Sequence, residues 1–515
     1  MKKKILSLLL AVVMVATLFT GCNGNGGGNN KDWLKPGNVD LNAEKPWDGY
    51  TVKMAFYSNY EIDENAWLFQ KIKEHTGITI EPICYTASVY FEKLGGWIAT
   101  NQLPDLFTSG NLKKSEIDMY GDQSALVNLN DPDVLKLIPS FKKIYVDDPA
   151  NYARYSQYFT ETGAMYCIPV YGMSRDVNHC LMYREDVFAE QGIEPWTDTE
   201  GFLNALRKLK KAYPDSYPFT GSDFFQMMGR LGYSFNTNGL SFAYNTDTGK
   251  WYSGVASDDF RKLVDLMQTM FKERLIDPDI FTNTSAEVDA MMLNNKSFVM
   301  HNWIGRMAVE NPAGQKSVEA DFHIIPGNAI GNGKFIEMQA FDGQGGLHVA
   351  NNPNQGAALA VVEWLFSDEG SYIASVGVEG DNYEVVDGKI TYPAIEAKKE
   401  EGEIVTYQDL TETYGMWIDG YYVRTSREAI YYDYSAEEEA AQKLGQAAGY
   451  YKDAPPMRVP AAEAFRWIDA EDTYVKDYQS FITDYITKGY GDAQWNDYVS
   501  KINTNYGWMF DLLNG

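Results

Sequence analysis

From residue 50 onward the chain alternates short apolar strand patterns with amphipathic helical ones, and that alternation restricts the fold more than any other feature. "YTVKMAFY" (50–57) alternates like a strand, and residues 62–75 carry helical apolar spacing closed by Gly77. "ITIEPICY" (78–85) predicts a second strand, 88–101 a second helix, and "LPDLFTSG" (103–110) a third strand that runs out into small polar residues. Strand alternating with helix predicts a parallel sheet covered by helices. Ligands of such sheets sit beyond the carboxyl ends of the strands. Ser58, Asn59 and Tyr60 follow the first strand, and Thr108, Ser109 and Asn111 end the third, so these six are candidate ligand contacts.

The pattern recurs further along. "MYCIPVYG" (165–172) and "HCLMYRED" (179–186) are strand-like, with candidates Tyr171 and Asn178 at their junction. A helix capped by Thr197 or Asp198 runs to Tyr213, ahead of Pro214. "FAYNTDTGKWYSG" (242–254) predicts a hairpin turning on Asp247-Thr248-Gly249, followed by an amphipathic helix over 257–274. "KSFVMHNW" (296–303), "DFHIIPG" (321–327) and "MQAFDGQGGLHVAN" (338–351) predict further strands, the last holding candidates Asp342 and Gln344. Helices are predicted over 353–367, 436–446 and 471–488.

The N-terminus cannot belong to that core. Lys2, Lys3 and Lys4 precede an apolar stretch over 5–19, too short to span a bilayer, where roughly 20 residues are needed. A basic start, a short apolar centre and small residues describe a secretory signal over 1–21. Thr20-Gly21-Cys22 resembles the lipobox of bacterial lipoproteins, which implies diacylation of Cys22; Phe19 stands where that motif prefers Leu. An ordinary secretion signal with an incidental cysteine is the alternative. Residues 22–47, rich in Gly and Asn, predict a flexible tether. The protein is therefore expected on the outer face of the cell membrane.

The 515 residues carry a formal charge of −27. Removal of 1–21 leaves 41 basic against 71 acidic residues, or −30. Such a surface repels nucleic acid and anionic lipid heads, which excludes nucleic-acid binding. A chain of this length with 45% hydrophobic residues predicts at least two lobes. Beyond Cys22 only Cys84, Cys167 and Cys180 remain, an odd number without metal spacing, so three buried thiols are expected rather than a disulfide framework; a Cys167–Cys180 pair is the alternative.

Catalytic signatures are missing where an enzyme would show them. There is no Gly-x-Ser-x-Gly elbow, "PGNAIGNGKF" lacks phosphate-loop spacing, and the five histidines form no His-Glu-x-x-His pair. Asn245 and Asp247 offer oxygens at calcium-loop spacing, but Ala256 stands at the twelfth position in place of a bidentate Glu, so a plain hairpin turn and no cofactor are expected, with calcium there the alternative. The positive signal is aromatic. Sugar sites combine stacked Trp or Tyr with amide and carboxylate hydrogen-bonders. "MHNWIGRM" places Asn302, Trp303 and Arg306 past a predicted strand end, and "YGMWIDGYY" places Tyr414, Trp417 and Asp419 in a loop; Trp67, Trp364 and Trp467 lie on apolar helix faces and are expected in the core.

In their order and spacing, "LPDLF", "YCIPVYG…LMYREDVFAEQGI", "LIDPD", "KSFVMHNW" and "GAALAVVEWLFSDEGSYIASVGVEG" make the chain from about residue 50 similar to the extracellular solute-binding lipoproteins of ABC importers. The class is the sugar-binding one that includes maltose-binding protein. The resemblance implies a two-lobed α/β fold of the type II periplasmic-binding kind, each lobe a sheet flanked by helices and joined to the other by crossing hinge strands. Residues 48–169 with 327–380 would form the N-terminal lobe, and 170–326 with 381–515 the C-terminal lobe. It further implies a monomer that captures oligosaccharide in the inter-lobe cleft and hands it to permease subunits, without catalysis. The acidic surface and scarcity of arginine favour a neutral ligand. A membrane-anchored carbohydrate-active enzyme and an adhesive polysaccharide-binding surface protein are the alternatives.

Overall fold

The computed structural model describes residues 39–58, 61–149, 155, 158–169, 177–237, 240–311, 319, 321–331, 346–401, 407–418, 434–448 and 457–515. Its strands, in chain order, are β1 (Thr51–Tyr57), β2 (Thr79–Tyr85), β3 (Leu106–Thr108), β4 (His179–Arg184), β5 (Phe219–Gly221), β6 (Phe242–Asn245), β7 (Lys250–Ser253), β8 (Val299–Trp303), β9 (Ile324–Pro326), β10 (Leu347–Val349), β11 (Glu384–Val386) and β12 (Lys389–Thr391). The chain gathers into two units. One comprises the described residues within 1–171, 343–377 and 410–425, and the other those within 172–342, 378–409 and 426–515.

The first unit is built on a sheet of order β10-β3-β1-β2. Val52, Met54 and Phe56 point into the core while Thr51 and Lys53 stay exposed, the alternation that marked β1 in the sequence. β1 pairs in parallel with β2 and β3, but β10 runs antiparallel to β3, with His348 opposite Phe107. The sheet is therefore mixed where a parallel one was expected, because β10 reaches its edge from far along the chain rather than by a local helical crossover. Helix Trp67–Thr76 stops at Gly77, whose φ is 77° and whose N–H donates to the Lys73 carbonyl. A Cβ at Gly77 would lie 2.4 Å from Asp48 Oδ1, so the site needs glycine twice over. Helix Gln355–Phe366 is buried on nearly every side, Trp364 included, whereas Trp67 is half-buried. The expected strand at 165–172 makes only isolated bridges, Met165 to Phe159 and Ile168 to Leu347; residues 170–172 and 338–345 lie outside the described residues.

The second unit has the order β5-β8-β4-β9, with β5 and β8 parallel and β4 antiparallel to both β8 and β9. One apolar cluster gathers Leu181, Tyr183, Phe219, Val299, Met267 and Trp467; a second gathers Cys180, Met182, Met300, Ile304 and Met307. Cys180, Leu181, Met182 and Tyr183 fall alternately into the two clusters, so both faces of β4 are covered. Helix Thr199–Ala212 starts at Asp198, whose side chain accepts from the Gly201 N–H at 2.7 Å, and Ser257 caps helix Asp258–Lys272. The hairpin β6–β7 turns as expected, and Asn245 Oδ1 accepts from the N–H groups of Asp247 and Thr248, both at 2.9 Å. That oxygen, which a calcium loop would need, holds the turn. Among the described residues no group of three or more His, Cys, Asp or Glu is placed to hold a metal ion. Cys84, Cys167 and Cys180 form no disulfide with one another, the last two being buried and the first half-buried.

Candidate functional site

In the first unit, β1 and β3 are parallel, so Ser58 and the pair Thr108 and Ser109 reach the same carboxyl edge. Ser58 is half-buried, its N–H donating to the Tyr85 carbonyl at 2.9 Å, and Asn111 is exposed just beyond. Thr108 is buried, with its carbonyl taking the Tyr90 hydroxyl at 3.0 Å. Ser109 is committed to the sheet: its Oγ lies 2.7 Å from His348 Nε2, while His348 Nδ1 lies 2.7 Å from the Tyr166 carbonyl. A carbonyl can only accept, so Nδ1 carries the proton and Nε2 accepts from the serine. Burial holds this imidazole neutral, its value depressed to about 4. Aromatic rings crowd the same edge, Tyr57 facing Tyr90 and Phe91 at centroid distances of 5.7 and 5.6 Å. These rings were missed as candidates because they belong to a strand end and a helix face that read separately as core. Asn59 and Tyr60 lie outside the described residues.

Tyr414 and Trp417 also belong to the first unit. Tyr414 packs edge-on against Trp67 at 6.2 Å, and Trp417 is buried with its indole N–H donating to the Ser375 carbonyl at 3.1 Å. Neither is brought to the strand edge by any contact among the described residues. An open cavity of about 580 Å3 lies at the opposite end of this sheet, lined by Thr51, Lys53, Glu81, Trp97 and Asp105 near the amino ends of β1 and β2.

In the second unit, the antiparallel register sets His179 opposite Trp303 and Cys180 opposite Asn302. The amino end of β4 and the carboxyl end of β8 therefore share one edge, which gathers Asn178, His179, His301, Asn302 and Trp303. Asn178 Nδ2 lies 3.3 Å from His179 Nδ1, and the Asn178 carbonyl accepts from the Ile304 N–H. Asn302 is 7% exposed; its Oδ1 accepts from the Trp303 N–H at 2.8 Å, and its Nδ2 has no hydrogen-bond partner among the described residues. Trp303 is half-buried at the margin of the second cluster. The His179 and His301 rings stack at 6.2 Å and 13°. Burial, then His179 and Arg230, hold His301 neutral well below the usual histidine range. The sequence did carry a signal for this pair. "NHC" opens one strand and "HNW" closes another, and antiparallel pairing superposes such mirror-ordered ends. Arg306 stands apart, ion-paired to Asp289 at 2.8 Å. Tyr171, Asp342, Gln344, Asp419 and Cys22 lie outside the described residues, and no helix among those described is long and apolar enough to cross a membrane.

Comparison with known proteins gives this geometry a context. The profile of a family described as bacterial extracellular solute-binding protein matches residues 67–379. No curated protein sequence matches the chain. Among solved structures, the alginate-binding protein AlgQ2 without calcium ion aligns with 18% identity over 90% of this chain and 97% of its own, at a TM-score of 0.71. The S. pneumoniae ABC-transporter substrate-binding protein FusA in complex with kestose aligns with 17% identity over 89% and 97%, at 0.66. An HMO-binding, ABC-transporter-associated solute-binding protein from Bifidobacterium longum infantis aligns with 15% identity over 91% and 98%, at 0.67. At such identities the likeness establishes the two-lobed α/β fold.

Proposed function

Since the chain belongs to the bacterial extracellular solute-binding protein family, whose members bind rather than transform their solutes, we propose that it is the substrate-binding component of an ABC importer for oligosaccharides. The observation that carries this reading is the match of a single solute-binding profile across 67–379, a stretch that holds β2 and β3 of one unit and β4 and β8 of the other. Support for a sugar comes from the composition of those edges: Trp303 with Asn302 and Asn178 in one, Ser58 and Asn111 beside Tyr57 in the other. Stacking rings next to amide and hydroxyl groups match a sugar's apolar faces and ring of hydroxyls. The neighbours that bind kestose and HMO point the same way.

In this reading the two units are the lobes, ligand is taken up between them, and the closed form is what permease subunits recognise. Diacylated Cys22 anchors the protein, and the Gly/Asn segment to residue 47 holds it off the membrane. The test is a thermal-shift panel of oligosaccharides. A ligand that binds only the folded chain raises its stability by about 2.7 kcal/mol at a hundredfold excess over Kd. The best hit should also reduce the radius of gyration in solution scattering and be recovered intact. A hydrolysed hit, or no shift with any sugar, would overturn the reading.

A further inference from the structure

Helix Ala436–Ala448 is held to the second unit by polar bonds more than by apolar packing, and one of those bonds depends on a proton. We propose that His323, bridging Glu185 and Glu437, is a pH-sensitive latch that fastens this helix beside the outer edge of β9 and releases it in alkaline solution.

The helix buries little. Its buried positions are Glu438, Ala441, Gln442 and Gly445, and Ala441 alone is placed in either apolar cluster of this unit. β9 is the last strand of its sheet and, among the described residues, pairs only with β4. Between strand and helix lies an open groove of about 460 Å3, lined by Ile325, Pro326, Ala440, Lys443 and Leu444. A helix that leaves such a groove beneath it gains little from apolar burial, and a segment with few buried apolar contacts opens at low cost. Its polar bonds therefore decide how firmly it sits. Gln442 holds both backbone groups of Val177, and toward the helix N-terminus Glu437 Oε1 lies 3.0 Å from His323 Nε2.

His323 precedes β9, and its other ring nitrogen, Nδ1, lies 2.7 Å from Glu185 Oε2. The Glu185 N–H also donates to the His323 carbonyl at 2.8 Å, so these two residues stay tied through the main chain whatever the charge on the ring. The bond to Glu437 is the one that can be lost. Ionised carboxylates only accept and a neutral imidazole has a single N–H, so only the imidazolium makes both bonds. Without its second proton, one ring nitrogen turns a lone pair toward a carboxylate. Burial opposes the charge, but the bonds to Glu437 and Glu185 outweigh it and raise the imidazole above the usual histidine range. Nearby charges have other partners: Arg184 pairs with Asp186, and Glu438 accepts the Ser435 N–H at the helix start. Lys443 lines the groove with Glu437, and Glu319 and Asp321 precede the histidine on its own segment.

The folded chain thus holds this proton more tightly than the unfolded one. The latch is complete below about pH 6.5 and is lost as pH rises through the higher value of the folded histidine. Its release uncovers the outer edge of β9 and loosens the hold on Val177, which leads into β4.

Hydrogen exchange read by mass spectrometry on the purified chain, corrected for the intrinsic pH dependence of amide exchange, tests this. Amides within 437–448 should lose about three- to tenfold of their protection between about pH 6 and about pH 9, the combined effect of two part-exposed ion pairs. His323→Gln and Glu437→Gln should each show the lower protection at both pH values, with the melting temperature at pH 6 nearly unchanged. Glu310→Gln, which removes another alkaline titration from this unit, should leave the loss at 437–448 in place. By nuclear magnetic resonance the His323 ring should titrate above the ordinary histidine value. Equal protection of 437–448 at both pH values in the parent would overturn the latch. So would a loss that persists undiminished in both His323→Gln and Glu437→Gln, or a His323 ring that titrates at or below about pH 6.5.

Discussion

In the proposed site, single side chains at the end of β8 would set how the edge meets a ligand. A Cβ on Gly305 would lie 2.3 Å from Trp303 Cη2, so the absence of a side chain there sets where the indole rests. A ring covering one sugar face shares about 60–100 Å2 of apolar contact, worth roughly 1.5–2.5 kcal/mol at about 25 cal/mol per Å2. Trp303→Ala should therefore weaken oligosaccharide binding by about ten- to seventyfold. Gly305→Ala should weaken it too, by turning the ring, with the apo melt nearly unchanged in both. A large melting drop with native affinity in the surviving folded fraction would move Trp303 into the core. Glu310, buried at the end of helix Arg306–Glu310, governs stability instead. Burial, then the neighbouring Asp289 carboxylate, raises its carboxyl from 4.5 to about 9. The folded chain thus keeps a proton that the unfolded chain releases. This contribution is complete below about pH 4.5 and is lost as pH rises toward about 9, at roughly 1.4 kcal/mol per pH unit. Glu310→Gln should flatten that slope and outlast the parent at pH 8.5 in denaturant titrations; a profile parallel to the parent's would exclude the role. At this scale the sequence marked Asn302 and Trp303 by their polar setting after a strand. It marked Ser109 just as strongly, yet Ser109 bonds to His348, 239 residues away, and no local spacing reveals a partner that arrives from another strand.

Elements were legible where one face is buried and a cap is local. Gly77 ends its helix as read, Asp198 proves the cap of the two residues offered, and Ser257 caps a helix read as starting on it, because each effect lies within three or four residues of chain. Helix Asp492–Asn514 was not foreseen. Its buried positions, Trp495, Tyr498, Ile502, Tyr506 and Met509, keep helical spacing, but tyrosines blur the apolar period and the intervening Asn503, Thr504, Asn505 and Gly507 are weak helix formers. Sheet direction was only partly legible, since β10 and β4 pair antiparallel with strands remote in sequence. Pairing of another kind fixes helix Ala436–Ala448 to the chain ahead of β4. Buried Gln442 accepts the Val177 N–H at 3.0 Å and donates to the Val177 carbonyl at 2.8 Å, standing in for a strand neighbour. Gln442→Leu would leave both backbone groups buried and unpaired, at about 1–3 kcal/mol each. Denaturant unfolding should show that loss, and Gln442→Glu, which keeps one acceptor, should lose less at acidic pH than at neutral pH. Equal stability of the parent and Gln442→Leu would mean water replaces the amide.

At the scale of the molecule, each unit is assembled from separated stretches of chain. Residues 410–418 lie with the first unit, where Tyr414 meets Trp67, and no periodicity in the sequence signals such a return. The second unit depends on its own distant end. Trp467 stacks on Phe242 at 5.2 Å, and the Tyr474 hydroxyl lies 2.6 Å from Ser253 Oγ. Gln268 of helix Asp258–Lys272 donates to the carbonyls of Tyr485 and Tyr490. Helices Ala464–Lys488 and Asp492–Asn514 thereby cover the apolar faces of β6 and of helix Asp258–Lys272. Removing one buried aromatic costs about 3–5 kcal/mol. Trp467, Tyr474, Tyr485 and Trp495 alone are each no more than 1% exposed. Their joint loss, about 12–20 kcal/mol, is as large as the roughly 5–15 kcal/mol that holds a typical domain folded. A chain ending at residue 463 should therefore keep every strand of the second unit in its sequence and still fail to pack it. The measurable signs are a collapsed near-ultraviolet dichroism signal, strong binding of a hydrophobic dye, and rapid proteolysis within 177–331. A truncated chain that melted cooperatively near the parent temperature would show that these helices are a cover laid over a finished core, not part of it.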